Sequence, residues 1–162
     1  MAMTEINLNN IHSPADIKNM SVDELLQLAA RMRSALMDKL SAVGGHVGPN
    51  LGMIEATIAL HYVFDAPKDK LIFDVSHQTY PHKMLTGRME AFTDPAHYGD
   101  VTGYTNPRES PYDLFSIGHT STALALASGM AKARDIAKEQ YNVVAIVGDG
   151  ALGGGEALEG LN

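Results

Sequence analysis

The sequence predicts an α/β fold, a doubly wound and mostly parallel sheet with helices on both faces. Three observations predict it. Two short apolar runs, LIFDV at 71–75 and VVAIV at 143–147, have the length and β-branched content of buried parallel strands. Segments whose apolar residues recur every three or four positions alternate with them, as helices do in this class. Finally, VVAIV leads directly into GDGALGGG, a glycine-rich turn that opens a helix. That places the turn at the carboxyl end of a strand, where sheets of this class bind ligands.

The elements follow in order. The start, through about residue 20, is polar and reads as an arm; residues 21–162 read as one domain. Ser21 and Glu24 have the spacing of a capping box, which satisfies free amides at a helix start. Val22, Leu25, Leu26, Ala29, Met32, Leu36 and Leu40 then line one face of a long helix that ends before Gly44-Gly45. GGHVGPNLG is a turn-rich loop, and LGMIEATIALHYVF is a second, mostly buried helix closed by Pro67. After LIFDV a loop and short helix run to Gly87. A long polar stretch from about Glu90 to Ser116 follows, and so long a loop is more often functional than idle. A helix is expected from about His119 to Lys138, and another after GDG through Glu156 to Leu161.

Composition excludes several function classes. A 45% hydrophobic and 19% charged chain is ordinary globular protein. At a net charge of −7, with no run of Lys and Arg, it lacks the basic stripe of a nucleic-acid binder. Any phosphate must be held by backbone amides, a metal or a few local side chains. There are no cysteines, which removes disulfides and thiolate–zinc sites and fits a reducing cytosol. No uncharged apolar stretch approaches membrane-spanning length, and the start lacks the apolar core of a signal peptide. A cytoplasmic protein is expected.

Three segments carry candidate chemistry. In GDGALGGG the glycines let backbone approach a diphosphate, and free amides at a helix start favour anionic oxygens. Asp149 offers the hard carboxylate oxygen that Mg²⁺ takes alongside water and phosphate. Asp-Gly is also a common turn, and neither a P-loop nor a dinucleotide fingerprint is present. In DVSHQTYPHK, His77 and His82 lie five apart, which is not the four-residue pairing of a helical zinc site. Their imidazoles can donate to phosphate or shuttle protons, or can be loop histidines satisfied by neighbouring carbonyls. In SIGHTSTAL, Gly118, His119 and Thr120 sit where a loop meets a helix; a plain N-cap is the alternative. At a helix start His119 should stay neutral and act through hydrogen bonds. His46 lies between glycine turns permissive enough to place an imidazole against a substrate. His12, His61 and His97 are read as structural.

Together GGHVGPNLG, ALHYVFDAPKDKLIFDVSHQTYPHKMLTGR, GHTST and VVAIVGDGAL resemble the deoxyxylulose-5-phosphate synthase family of transketolase-like enzymes, over roughly Asp23 to Asn162. The resemblance implies a truncated thiamine diphosphate-binding fold, with 21–162 forming part of the diphosphate-binding domain. It implies a homodimer in which pyruvate condenses with D-glyceraldehyde 3-phosphate, losing CO₂, on thiamine diphosphate and Mg²⁺. By the same resemblance Asp149 is the metal ligand and Gly150 and Ala151 are backbone donors to the diphosphate. His77, Gly118, His119 and Thr120 line the cofactor site, and His46 handles substrate and protons. Ser76 stands where the family usually has Gly, Thr120 where it usually has Ser, and Glu90 to Pro111 departs most. The family's metal-completing Asn and activating Glu fall beyond Asn162, so the chain alone is expected to be inactive. Two other readings stand beside this one: another transketolase-like enzyme or split transketolase subunit, and a non-catalytic remnant that binds a phosphate metabolite or a partner. Only the last predicts no Mg²⁺-dependent binding of thiamine diphosphate.

Overall fold

Local sequence signals set the first long element, and tertiary contacts set most of the others. The structure, a computed structural model, describes residues 6–162, and the chain divides into two units. Unit 1 comprises the chain through residue 63 together with 78–103; unit 2 comprises 64–77 and 104–162.

Unit 1 is helical. Its main element, α1 (Val22–Val43), begins at the expected capping box: the Ser21 N–H donates to Glu24 Oε2 at 2.7 Å, and Ser21 Oγ accepts from the Glu24 N–H at 3.3 Å. It ends where Gly44 takes a positive φ of 77° and donates to the Leu40 carbonyl. Leu28, Ala29, Met32, Leu36 and Leu40 are buried as their spacing requires, whereas Val22 and Leu26 face solvent. Lys39 on this helix is also buried, with Nζ donating to the Ala91 carbonyl at 2.8 Å and lying 4.3 Å from the centre of the Phe92 ring.

The segment read as an arm packs on the core, Ile6 and Leu8 in part and Ile11 and Ile17 fully, while residues 1–5 lie outside the described ones. Asp16 Oδ2 accepts from the His12 and Ser13 amides, and those bonds lower its pKa against the opposing effect of burial. The resulting 3₁₀ turn (Pro14–Ile17) brings Ile11, Pro14 and Ile17, spaced by three, into the core. Two further differences from expectation concern glycine and proline. The GGHVGPNLG loop contains a short helix, α2 (Val47–Leu51), because Pro49 falls within its first turn where no amide is needed. The second buried helix, α3, is correspondingly shorter, Ile54–Val63. Beyond it lie α4 (Tyr80–Lys83), a kinked turn (Met84–Arg88) in which Gly87 has φ 87°, and α5 (Glu90–Thr93). The start of the stretch expected to be a loop is therefore helical.

Unit 2 holds the sheet. Strands β1 (Lys70–Phe73) and β2 (Val143–Ile146) pair in parallel, with Lys70 opposite Val143 and Phe73 opposite Ile146. Asp69 pins this register: Oδ1 accepts from the Asn142 amide at 2.7 Å, and Oδ2 accepts from the Asp65 amide at 2.7 Å. Both expected strands are thus present within a residue or two. Among the described residues the sheet has two strands, fewer than a doubly wound sheet needs.

Helix α6 (Ala123–Ala137) packs on both strands and on α8 (Gly155–Leu161). A short α7 (Asp149–Leu152) precedes α8. At Gly160 a Cβ would lie 2.8 Å from Ala125 N and 3.0 Å from its Cα, so glycine permits the close approach of α8 to α6. Ser128 Oγ seals the contact by donating to the Gly160 carbonyl at 2.9 Å. Gly160→Ala is expected to destabilise the chain by about 1–3 kcal/mol, because backbone must give way to the added methyl; urea denaturation reads the loss. Among the described residues no helix is long and apolar enough to cross a membrane.

Candidate functional site

Because β1 and β2 are parallel and in register, the segments that follow them leave the sheet at the same end. One carries Asp74, Ser76 and His77, the other Gly148, Asp149 and Gly150. The turn before α6 carries Gly118, His119 and Thr120. Three side-chain bonds join these segments. Asp74, 1% exposed, accepts from the Ser121 N–H on Oδ2 at 2.9 Å and from the Ala123 N–H on Oδ1 at 3.0 Å. Ser121 Oγ donates to the Ala151 carbonyl at 2.7 Å. Asp74 and Ser121 therefore tie the loop after β1, the turn before α6 and the turn after β2.

Asp74 was not singled out from sequence, and Ser121 was read only as part of the GHTST turn. The available signal was an aspartate closing an otherwise apolar strand run, a position that must find donors if it is buried. Ser121 has φ 72° and Gly154 packs so closely that a Cβ there would overlap its hydroxyl. This turn delays the helix: α6 starts at Ala123, not His119. Gly118, His119 and Thr120 are exposed in the turn, so the argument from the helix dipole does not reach His119.

The segment after β1 is under local strain. Val75 and Ser76 have φ of 58° and 69°, a conformation that L residues, and β-branched ones above all, seldom adopt. Ser76 occupies the place where the resembling family carries Gly, and its positive φ explains that preference. Its hydroxyl is fully used here, donating to the Ile117 carbonyl at 2.7 Å and accepting from the Thr105 N–H at 3.0 Å. Those bonds offset the strain and anchor the polar stretch expected to be a functional loop. Thr105 Oγ1 donating to Phe115 O and Asp113 Oδ2 accepting from Asn106 N add to its order. His77 follows Ser76 directly and is half-buried.

After β2, Asp149 is exposed at the first position of α7. Its Oδ1 accepts from the Gly150 N–H at 2.9 Å, and the Ala151 N–H donates to the Gly148 carbonyl at 3.0 Å. Asp149, Gly150 and Ala151 thus lie on one turn beside the one that bears Gly118 to Thr120.

His46 belongs to unit 1. It caps α2, half-buried, with Nδ1 3.4 Å from the Tyr80 hydroxyl. Asn50, fully buried and not anticipated, braces it: Nδ2 donates to the His46 carbonyl at 2.7 Å while Oδ1 accepts from the Tyr80 N–H at 2.8 Å. Gly45, at φ 136°, brings the backbone so near that a Cβ would meet Leu40 Cδ2 at 2.7 Å and Tyr80 Oη at 2.9 Å. The Tyr80 hydroxyl also accepts from the His46 N–H at 3.5 Å, so it holds both the backbone and the ring of that residue.

The family model described as 1-deoxy-D-xylulose-5-phosphate synthase matches residues 8–162. Relatives bearing that name include those of Dictyoglomus turgidum, 52% identical over 155 residues, and Brevibacillus brevis, 54% identical over 155 residues. Each alignment covers 96% of this chain and 25% of the relative, so the chain spans about a quarter of the length of the curated relatives it matches. The chain belongs to the 1-deoxy-D-xylulose-5-phosphate synthase family.

Proposed function

We propose that this chain contributes the metal- and diphosphate-binding part of a homodimeric thiamine diphosphate enzyme that condenses pyruvate with D-glyceraldehyde 3-phosphate and releases CO₂. The observation that carries the reading is the convergence of the loop after β1, the Gly118–Thr120 turn and the Asp149–Ala151 turn, through Asp74 and Ser121. In this reading β1 and β2 are two strands of the doubly wound sheet of a partial diphosphate-binding domain over residues 21–162, preceded by an arm.

The donor set suits the group. Asp149 presents a hard carboxylate to solvent, the chemistry Mg²⁺ selects, and the glycines beside it leave the backbone open to a diphosphate. Thiamine diphosphate, when bound, supplies the stabilised carbanion that this class of condensation needs. The chain's own residues position and orient. Asp149 would hold the metal, and the Gly150 and Ala151 amides would donate to the diphosphate. His77, Gly118, His119 and Thr120 would line the cofactor, and His46 would donate or accept a proton at the substrate. Activity requires the three quarters of the enzyme that relatives carry beyond the matched part.

Calorimetric titration of thiamine diphosphate tests the site. The chain should bind with Mg²⁺ and lose that binding in Asp149→Ala; equal binding by both proteins eliminates Asp149 as the ligand. For activity, the chain replaces the matched quarter of the Brevibacillus brevis relative, and pyruvate-dependent CO₂ release with glyceraldehyde 3-phosphate is measured. Asp149→Ala in that chimera should cost about 100-fold or more, since a lost metal clamp removes several kcal/mol. A chimera with no activity although it binds the cofactor favours a different acceptor or a non-catalytic role.

A further inference from the structure

In unit 1 two histidines meet in a fully buried position. His61 on α3 and His82 on α4 are 0% and 1% exposed, their rings stacked with centroids 5.0 Å apart. His61 Nε2 lies 2.9 Å from His82 Nδ1, so one nitrogen carries a proton and the other accepts it. The other nitrogen of His61, Nδ1, is buried without a hydrogen-bond partner among the described residues. The hydroxyl of Thr57, one helical turn earlier, is equally buried and does not reach it.

Two neutral arrangements are possible. If His82 donated, His61 would have to carry its proton on Nδ1, burying an N–H with no acceptor. If His61 donates, its Nδ1 is a bare lone pair, and His82 must carry its own proton on Nε2. Buried N–H donors without acceptors are the rarer and costlier defect, so the second arrangement is favoured.

We propose that His61 is a positioning residue that fixes His82 as the tautomer protonated on Nε2, making His82 a permanent hydrogen-bond donor and not a proton shuttle. The setting agrees. Tyr80, Pro81, His82 and Lys83 are all buried, and Thr86 Oγ1 donates to the His82 carbonyl at 2.6 Å, holding the turn in place. A kinked turn follows at once, in which Thr86 and Gly87 leave helical geometry. With the Lys83 ammonium buried at the next position, a neutral His82 avoids a second buried cation. Of the two roles open to the DVSHQTYPHK histidines, donation belongs to His82, and proton transfer is left to His46, His77 and His119. The inference concerns protonation inside unit 1 and holds whether or not the chain binds thiamine diphosphate.

Long-range proton–nitrogen NMR of the ¹⁵N-labelled full chain reads the tautomer directly. In the wild type His82 should show an unprotonated, pyridine-type Nδ1 and a protonated Nε2. His61→Gln keeps an N–H donor toward His82 and should preserve this pattern. His61→Leu removes the donor, and the His82 Nδ1 resonance should move toward the average of two exchanging tautomers. A protonated Nδ1 in the wild type overturns the proposal. So does an unchanged His82 pattern in His61→Leu. Should His61→Leu fail to fold, the wild type and His61→Gln still decide.

Discussion

Asp74→Ala should lower the stability of the chain by about 3–5 kcal/mol, the largest single effect expected from any one side chain here. The carboxylate is 1% exposed and accepts two backbone N–H bonds, from Ser121 and Ala123. Ala123 is the first residue of α6, whose N-cap, Thr122, makes no side-chain capping bond. Asp74 therefore supplies the cap from another segment, with its charge at the favourable end of the helix. Hydrogen bonds to charged groups contribute about 1.5–3 kcal/mol each, and truncation would also leave two amides without an acceptor. That is a large share of the ~5–15 kcal/mol that stabilises a typical domain. Asp74→Asn keeps the shape but turns an NH₂ toward one of the two amides, and should cost roughly half as much. Urea denaturation measures both, and hydrogen exchange at Ser121 and Ala123 localises the damage. A loss below about 0.5 kcal/mol for Asp74→Ala would show that the two amides find other acceptors. If the proposed function holds, the same substitution also loosens the Gly118–Thr120 turn and weakens cofactor binding without touching Asp149.

The contrast between Asp74 and Ser21 shows which features could be seen in sequence. The capping box of α1 joins residues three apart, so its spacing is visible in the chain, and the structure has it. The cap of α6 joins residues 47 and 49 positions apart, and nothing local announces it. The helix was therefore expected to start at His119, four residues early. The strands were legible because short β-branched apolar runs are unambiguous when bounded by Asp and Gly. The burial of Ile11 and Ile17 was not, since two isolated isoleucines in a polar stretch carry no periodic signal. At the site, Asp149 and the glycines stood out as a strand–turn–helix pattern. Asn50 could not, because its worth lies in bridging His46 to Tyr80 across the fold.

Acidification from pH 7 to pH 5 should cost the chain about 2 kcal/mol through His61 alone. Burial, reinforced by His82 and then by Lys18, pushes its pKa from the ordinary 6.5 down to about 2. In the unfolded chain the ring titrates near 6.5, so between these values the unfolded state binds a proton that the native state refuses. Above pH 6.5 both states are neutral and His61 contributes nothing to the pH dependence. Below it, stability falls by about 1.4 kcal/mol per pH unit, giving about 2 kcal/mol at pH 5. The lowered carboxylates of Asp16, Glu24, Glu55 and Asp69 act in the same direction only at lower pH, because their unfolded forms protonate near 4. His97 acts oppositely. Its hydrogen bond to Asp100, helped by Glu90, raises its pKa, so its contribution is present in acid and lost as pH rises through the raised value. Comparing wild type with His61→Gln removes these shared contributions, since only one ring differs. Urea denaturation at pH 7 and pH 5 should show the wild type losing about 2 kcal/mol more than the variant. Equal losses would mean that His61 is protonated in the native state, and with it that the buried pair carries a charge. The donor assignment of His82 would survive that result, because a doubly protonated His61 still donates from Nε2 to His82 Nδ1.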